Sequence, residues 1–392
     1  MWARPLVLTL VAVVFVGAWA VEAQRPAGGG GGMVPAVLDP FVGVTTDGTV
    51  RPGLFTIRST GVSTRPVMDA ALRFLEALSP EQRRATAFSA DAEEWRRWIN
   101  IHRAARAGVA FREMSEAQQA RAFDLMKAGL SARGLELSRN VMRLNHTIAE
   151  LTGNFTEYGE DLYNVTVMGE PSMTEPWGWQ LEGHHLILNY FVLGDQVVMT
   201  PAFYGSEPVI AESGKYKGVA ILQDEQDRGL RLMQSLSDEQ RPKALITTQP
   251  KTANDAQAQA YRDNLRLPYA GIRGSELDAS QRDALVALIA LYVGNMPDGH
   301  ARVRMDEVRA HLDETRFGWI GGHADDSVFY YRVHSPVILI EFDHQTPVAL
   351  KGPRVPNRQH VHAVVRTPNG NDYGKDLLRQ HYQQHPHAVE WR

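Results

Sequence analysis

Apolar residues recur along this chain with two different periods. Alternation of the kind that gives a strand two distinct faces marks residues 163–168, 177–182, 184–193 and 196–202, and again 316–320, 328–334, 337–343 and 360–367. Gly194-Asp195 supplies a hairpin turn between the third and fourth of these segments. Helical spacing takes over at 67–78, where Met68, Ala71, Leu72, Leu75 and Leu78 gather on one side. A last helix is expected near 375–383, after Asn369-Gly370-Asn371-Asp372. Short apolar runs beginning at Phe41 and Leu54, broken by Asp47-Gly48 and Pro52-Gly53, predict one or two further strands within 40–65.

The helix starts repeat. Leu78-Ser79-Pro80-Glu81-Gln82-Arg83 returns as Leu236-Ser237-Asp238-Glu239-Gln240-Arg241, and Met114-Ser115-Glu116-Ala117-Gln118 returns as Leu277-Asp278-Ala279-Ser280-Gln281. In each, a Ser or Asp is placed to cap a helix and the Gln three residues on to close a capping box. Both pairs come in the same order, which points to an internally duplicated helical unit. The alternating stretches extend the match: 177–190 align with 329–342, setting Trp179 against Tyr331, Asn189 against Glu341 and Tyr190 against Phe342. Helical and β runs that stay segregated argue for an α+β fold over a parallel α/β sheet. The expected organisation is two α+β halves, 35–216 and 217–392, integrated into one domain.

Ahead of the first half, residues 1–23 read as a secretory signal peptide. Arg4 is positive, the apolar run from Leu6 to Val21 is shorter than a comfortable membrane span, and Val21 and Ala23 precede a cleavage point at Gln24. An uncleaved membrane anchor is the alternative. Residues 24–34, with Gly28 to Gly32 in a row, cannot bury a core and form a flexible leader. The mature chain is therefore expected to be secreted or periplasmic, with no membrane association after cleavage. It has no Cys, so disulfides, thiolate ligands and Cys nucleophiles are excluded. Lys and Arg (41) against Asp and Glu (45) leave a net charge of −4 with no basic block, so nucleic acid is not an expected partner. Asn145, Asn154 and Asn164 each begin a glycosylation triplet, a pattern that also arises by chance.

Candidate chemistry concentrates on the strands. His184 and His185 are adjacent, and strand geometry sends them to opposite faces, His185 together with Asn189. Only a local bulge would let both serve one site. His360 and His362 are two residues apart and project from one face, so both imidazoles can reach one ion, half of a Zn, Fe or Cu site. The other ligands are expected from Glu341 or Asp343 and from His185; a metal-free polar pocket or a structural His pair is the alternative. Glu182, close to a strand end, is a candidate catalytic carboxylate, and Asp376 and His381 of the last helix are candidates for proton transfer. Arg332 or Arg366 would grip an anionic group on a substrate. Trp177, Trp179, Trp319 and the Tyr330-Tyr331 pair would form a stacking wall for a flat or sugar-like ligand, with Asn189 a further substrate-binding candidate, although large aromatics at this spacing also build cores. The chain has no Gly-x-Ser-x-Gly elbow, no phosphate-cradling Gly-rich loop before a helix and no His-Glu-x-x-His helix, which speaks against serine hydrolases, nucleotide enzymes and zincins.

Taken together, Glu175-Pro176-Trp177-Gly178-Trp179, Glu182-Gly183-His184-His185, Tyr330-Tyr331-Arg332, His360-Val361-His362 and Asp372-Tyr373-Gly374-Lys375-Asp376 with His381-Tyr382 resemble the proteins grouped as domain of unknown function 3500. The resemblance extends over nearly the whole mature chain and implies a single family-wide unit with no established activity. The family pattern carries Asn before the His-x-His pair, where this chain has Gln359. The residues themselves lead to an exported enzyme, a metal-dependent hydrolase acting on a small molecule. Its divalent ion would lie between the two β units on His185, Glu341, His360 and His362. Oxidative chemistry with Fe or Cu, a non-catalytic binding protein and a purely structural polar network are the competing readings.

Overall fold

The computed structural model describes residues 39–385; the expected signal peptide and Gly-rich leader, and the tail at Pro386-His387, lie outside them. Within the described residues are nine helices and one large mixed sheet. The helices are α1 (Arg65–Ala77), α2 (Pro80–Thr86), α3 (Glu116–Gly129), α4 (Ala132–Thr152), α5 (Gln223–Ser235), α6 (Arg241–Ala244), α7 (Ala279–Val293), α8 (Asp298–Ala310) and α9 (Lys375–Gln384). The strands of the first half are β1 (Ala87–Phe88), β2 (Val109–Ala110), β3 (Tyr163–Met168), β4 (Trp177–Gly183), β5 (Leu186–Leu193), β6 (Gln196–Val198) and β7 (Ala202–Ser206). Those of the second are β8 (Ile272–Arg273), β9 (Arg316–Gly321), β10 (Phe329–His334), β11 (Leu339–His344) and β12 (Val361–Arg366).

The four reciprocal Ser/Asp–Gln pairs all form. Ser79, Ser115 and Asp278 cap α2, α3 and α7, each with its Gln bonded back to the cap, and Ser237 and Gln240 bond in the same way just before α6. Each Gln then reaches further. Gln82 Nε2 donates to Glu113 O and Gln118 Nε2 to Ala77 O and Gln82 Oε1. In the second half Gln240 Nε2 donates to Glu276 O and Gln281 Nε2 to Ser235 O and Gln240 Oε1. The amides thus tie one helix start to the next, a use of the capping Gln that the local pattern alone does not announce.

The strands run β1-β3-β4-β5-β7-β12-β11-β10-β9-β8 across the sheet, with β2 added on β3 and β6 on β5. All pairings are antiparallel except β1 with β3. The seam between the halves is the antiparallel pair β7–β12, so a single sheet passes through both. Of the segment expected as one strand at 196–202, only Gln196–Val198 pairs, as β6; the chain breaks before Pro201, a residue that has no N–H to give to a ladder, and β7 begins at Ala202 and runs on to Ser206. The strands expected within 40–65 are absent from the described residues; Thr45 makes only an isolated bridge to Arg266.

One face of the sheet carries Trp177, Trp179, Leu188, Tyr190, Trp319, Tyr331 and Phe342 and packs against the helices in the main core. The other face carries Ile187, Phe191, Phe203, Leu339 and Val364, covered by Trp95, Trp98, Tyr373 and α9 in a smaller core. Polar side chains are concentrated on this second face, whose cover is mostly irregular chain. That asymmetry decides where chemistry can sit.

Candidate metal centre

The hairpin β4–β5 turns on two residues, His184 and His185, with Gly183 paired to Leu186. The two His therefore do not continue the strand alternation, and this is how both can occupy one region. His185 takes a left-handed backbone (φ 62°), costly by about 1–2 kcal/mol for a residue with a side chain. Four contacts hold the turn: Tyr163 Oη donates to His184 O (2.9 Å), Gly205 N to His185 O (2.8 Å), His185 N to Asn100 O (3.3 Å), and His184 Nδ1 to Asn145 Oδ1 (2.8 Å).

Register brings the other two imidazoles to the same place. Gly205 of β7 pairs with His362 of β12 and lies level with His185, so a His–Gly–His row crosses three strands. Outer backbones in such a row stand roughly 10 Å apart, and the two rings lean inward over the glycine between them. A Cβ at position 205 would come within 2.6 Å of Val361 O and 3.1 and 3.3 Å of the Cδ2 atoms of His362 and His185. Here glycine makes room for the rings. His360, two residues before His362, completes the group.

The three Nε2 atoms converge: His185 to His360 3.4 Å, His360 to His362 3.1 Å, His362 to His185 3.2 Å. An ion held about 2.0–2.1 Å from each nitrogen requires spacings of roughly 3.3–3.4 Å at tetrahedral angles and roughly 2.9 Å at right angles. The observed spacings fall in that range. Two tautomers are set by acceptors behind the rings. Thr346 O accepts a hydrogen bond from His360 Nδ1–H (2.8 Å) and Gln259 Oε1 one from His362 Nδ1–H (3.1 Å), which leaves both Nε2 atoms as lone pairs aimed inward. Burial, then the neighbouring imidazoles, hold His185 and His362 well below the ordinary histidine value. Burial lowers His360 too, against the opposing pull of Glu207. Neutral imidazoles are the ligating form, and this buried trio can hold a metal ion.

The remaining expected residues lie elsewhere. Glu341 does not join the trio: its carboxylate accepts from Gln257 N, Ala258 N and Tyr330 Oη. Asp343 likewise holds Lys251 and the Asp255 and Ala256 amides, and burial raises its pKa to about 6. Arg366, fully buried, spends four of its five N–H donors on Asp263, Asp372 and the carbonyls of Ala258 and Gln259, so it serves as an internal anchor. These three side chains clamp the 251–263 segment onto the sheet. Arg332 is buried beside Pro268 O. Glu182 accepts from Ile99 N (3.0 Å) and faces Arg106 Nε (3.3 Å), fixing the loop that precedes β2.

Asp376 and His381 belong to the far end of the sheet. Asp376 pairs with Arg379, and His381, 3.3 Å from Glu175, lines a cleft with Leu193 and Gly194 at the end of β5 opposite His185. Eight residues of strand separate those ends, roughly 26 Å, too far for proton transfer at the trio. Trp177, Trp179 and Tyr331 face the helices: Trp179 stacks on Tyr190 (5.4 Å), and Tyr331 stacks on Phe342 (5.1 Å) and meets Tyr292 Oη (2.5 Å). Asn189 is spent on Gln180 (2.7 Å) and Pro201 O (2.8 Å). The expected ligand wall is core.

Sequence reasoning did not single out Asn145, Gly205, Gln259 or Thr346, which position the His residues. Asn145, which opens a glycosylation triplet, is buried, with its amide donating to Gly159 O (2.8 Å) and its oxygen on His184, so it has no room for a glycan. Gln259 and Thr346 lie in irregular chain, where no periodicity flags a residue. His102, which no sequence pattern marks, lies in the same region. Its ring stands 4.8 Å from Tyr158 and 5.4 Å from His184, which stacks on His185 at 3.9 Å.

No curated protein and no solved structure matches this chain. The sequence profile of a family described as "Protein of unknown function (DUF3500)" matches residues 60–375, a span that contains the whole His trio and every residue positioning it. The chain belongs to that family.

Proposed function

We propose that this protein is an exported metalloenzyme of hydrolytic type, with His185, His360 and His362 as the protein ligands of one divalent zinc, iron or copper ion. The observation that carries the reading is the convergence of three Nε2 atoms at 3.1–3.4 Å with two of their tautomers fixed from behind. Lone pairs packed so closely repel unless a cation lies among them. Three protein ligands, with no carboxylate joining them among the described residues, match catalytic sites, which keep a position open, better than four-ligand structural ones. A bound ion supplies Lewis acidity at that open position.

The protein's own residues supply orientation and proton handling. Thr346 O and Gln259 Oε1 hold the rings, Gly205 keeps the space between them clear, and burial of the trio limits water and strengthens local electrostatics. We assign proton transfer to His102, half-buried, with Nε2 3.6 Å from Glu157 and its ring beside Tyr158. Export rests on the signal-like segment 1–23. The matched Gln networks at the two pairs of helix starts support descent of the two halves from one duplicated unit.

A purely structural ion is the second reading, favoured by exposures of only 5%, 3% and 7% for His185, His360 and His362. Metal-replete full-length protein should be assayed against chromogenic carboxylic esters, phosphoesters and lactones. Hydrolysis that disappears on chelation and returns on adding the ion back supports the enzyme. Full occupancy with no turnover on any of them favours the structural ion.

A further inference from the structure

A second site lies outside the trio. Between α3, α4 and the chain at 155–161 is an open cleft of about 530 Å³, a size that suits a small organic ligand. Its charged groups are unevenly satisfied. Arg112 pairs with Asp161 (3.1 Å), and Glu160 is taken by Lys215 (2.6 Å) and by Tyr216 Oη. Arg139 and Arg143, one turn apart on α4, have no carboxylate partner among the described residues. Both instead lie over rings, Arg139 over Phe123 (5.1 Å) and Arg143 over Tyr216 (5.7 Å), and both line the cleft. Arg143 spends one on Asn140 Oδ1 (2.9 Å).

Most of the remaining lining is aromatic. Phe155 is 53% exposed, and His146 meets it and Tyr216 edge-on at 5.5 and 5.6 Å. A bulky ring left in water beside two uncompensated guanidinium groups matches a flat ligand with an anionic end. We propose that this cleft binds a planar aromatic carboxylate, its carboxylate bridging Arg139 and Arg143 and its ring stacked against Phe155. The inner wall is Tyr158, 5.5 Å from the His184 ring, so the ligand stands near the trio; its binding does not require an ion there.

The test is equilibrium binding of 2-naphthoate to the full-length, metal-replete protein, beside neutral 2-naphthylmethanol and inorganic sulfate. The site predicts saturable binding of 2-naphthoate, with the alcohol and sulfate each weaker by about tenfold or more. Arg139→Gln/Arg143→Gln and, separately, Phe155→Ala should each weaken 2-naphthoate by about tenfold at unchanged thermal midpoint, since the side chains removed are exposed or half-buried. No saturable binding, equal binding by the Arg variant, or an alcohol as tight as the acid would overturn the proposal. The same titration on chelated protein should give the same affinity.

Discussion

At the scale of single residues, the site depends on a side chain that is missing. Gly205 has no positive φ to explain it; its role is to leave the space into which His185 and His362 lean. Gly205→Ala should therefore lower bound metal at least tenfold, measured by elemental analysis, with a thermal midpoint several degrees lower from overpacking costs of about 1–3 kcal/mol. Retention of metal at wild-type level in that variant would mean that the row of three strands does not set the ligand geometry. His-x-His at 360–362 was legible because a strand fixes where i and i+2 point. His185 was harder to place, since alternation was carried through residues that in fact turn the hairpin. A two-residue turn with a His at positive φ has no Gly, Asn or Asp to announce it.

At the scale of elements, the polar residues that look most chemical in the sequence are largely anchors. Glu341, Asp343 and Arg366 lie on one face of β11 and β12 and bind the backbone of the 251–263 segment, which carries Gln259 to His362. Sequence reasoning could place these side chains on a face but not supply their partners, because the segment that meets them lies about a hundred residues away with no periodic pattern. Glu341→Ala should strip the Gln257 and Ala258 amides of their acceptor and destabilise the protein by about 3 kcal/mol. Hydrogen exchange should accelerate across 254–260 well before the strands respond. Loss of metal with no change in exchange there would instead return Glu341 to the ligand set.

At the scale of the whole molecule, the first and last helices, seven of the eight longer strands (all but β7) and the four capping pairs were readable, since each is a local pattern. The seam β7–β12 was not: it joins distant parts of the chain, and nothing local in either strand names the other. Yet that seam puts His360 and His362 beside His185. Burial elsewhere in the sheet makes the fold acid-sensitive. Desolvation, with nearby Arg and Lys charges, pushes His334 and His344 down to about 3, and His344 also accepts from Phe329 N through Nδ1. Both stay neutral in the folded state while the unfolded chain takes up protons below about pH 6.5, so stability should fall as pH drops from there toward 3. Between pH 7 and pH 5 each contributes a loss of about 2 kcal/mol, to be checked by urea unfolding across that range. His344→Gln should remove about 2 kcal/mol of the fall, the share of this one ring. Everything at the trio turns on the ion itself, which elemental analysis of purified full-length protein, grown with Zn, Fe and Cu, would reveal beside His360→Ala/His362→Ala. About one divalent ion per chain is expected, lost in the double variant. A folded, unsubstituted protein that carries no ion after metal-supplemented growth would contradict it.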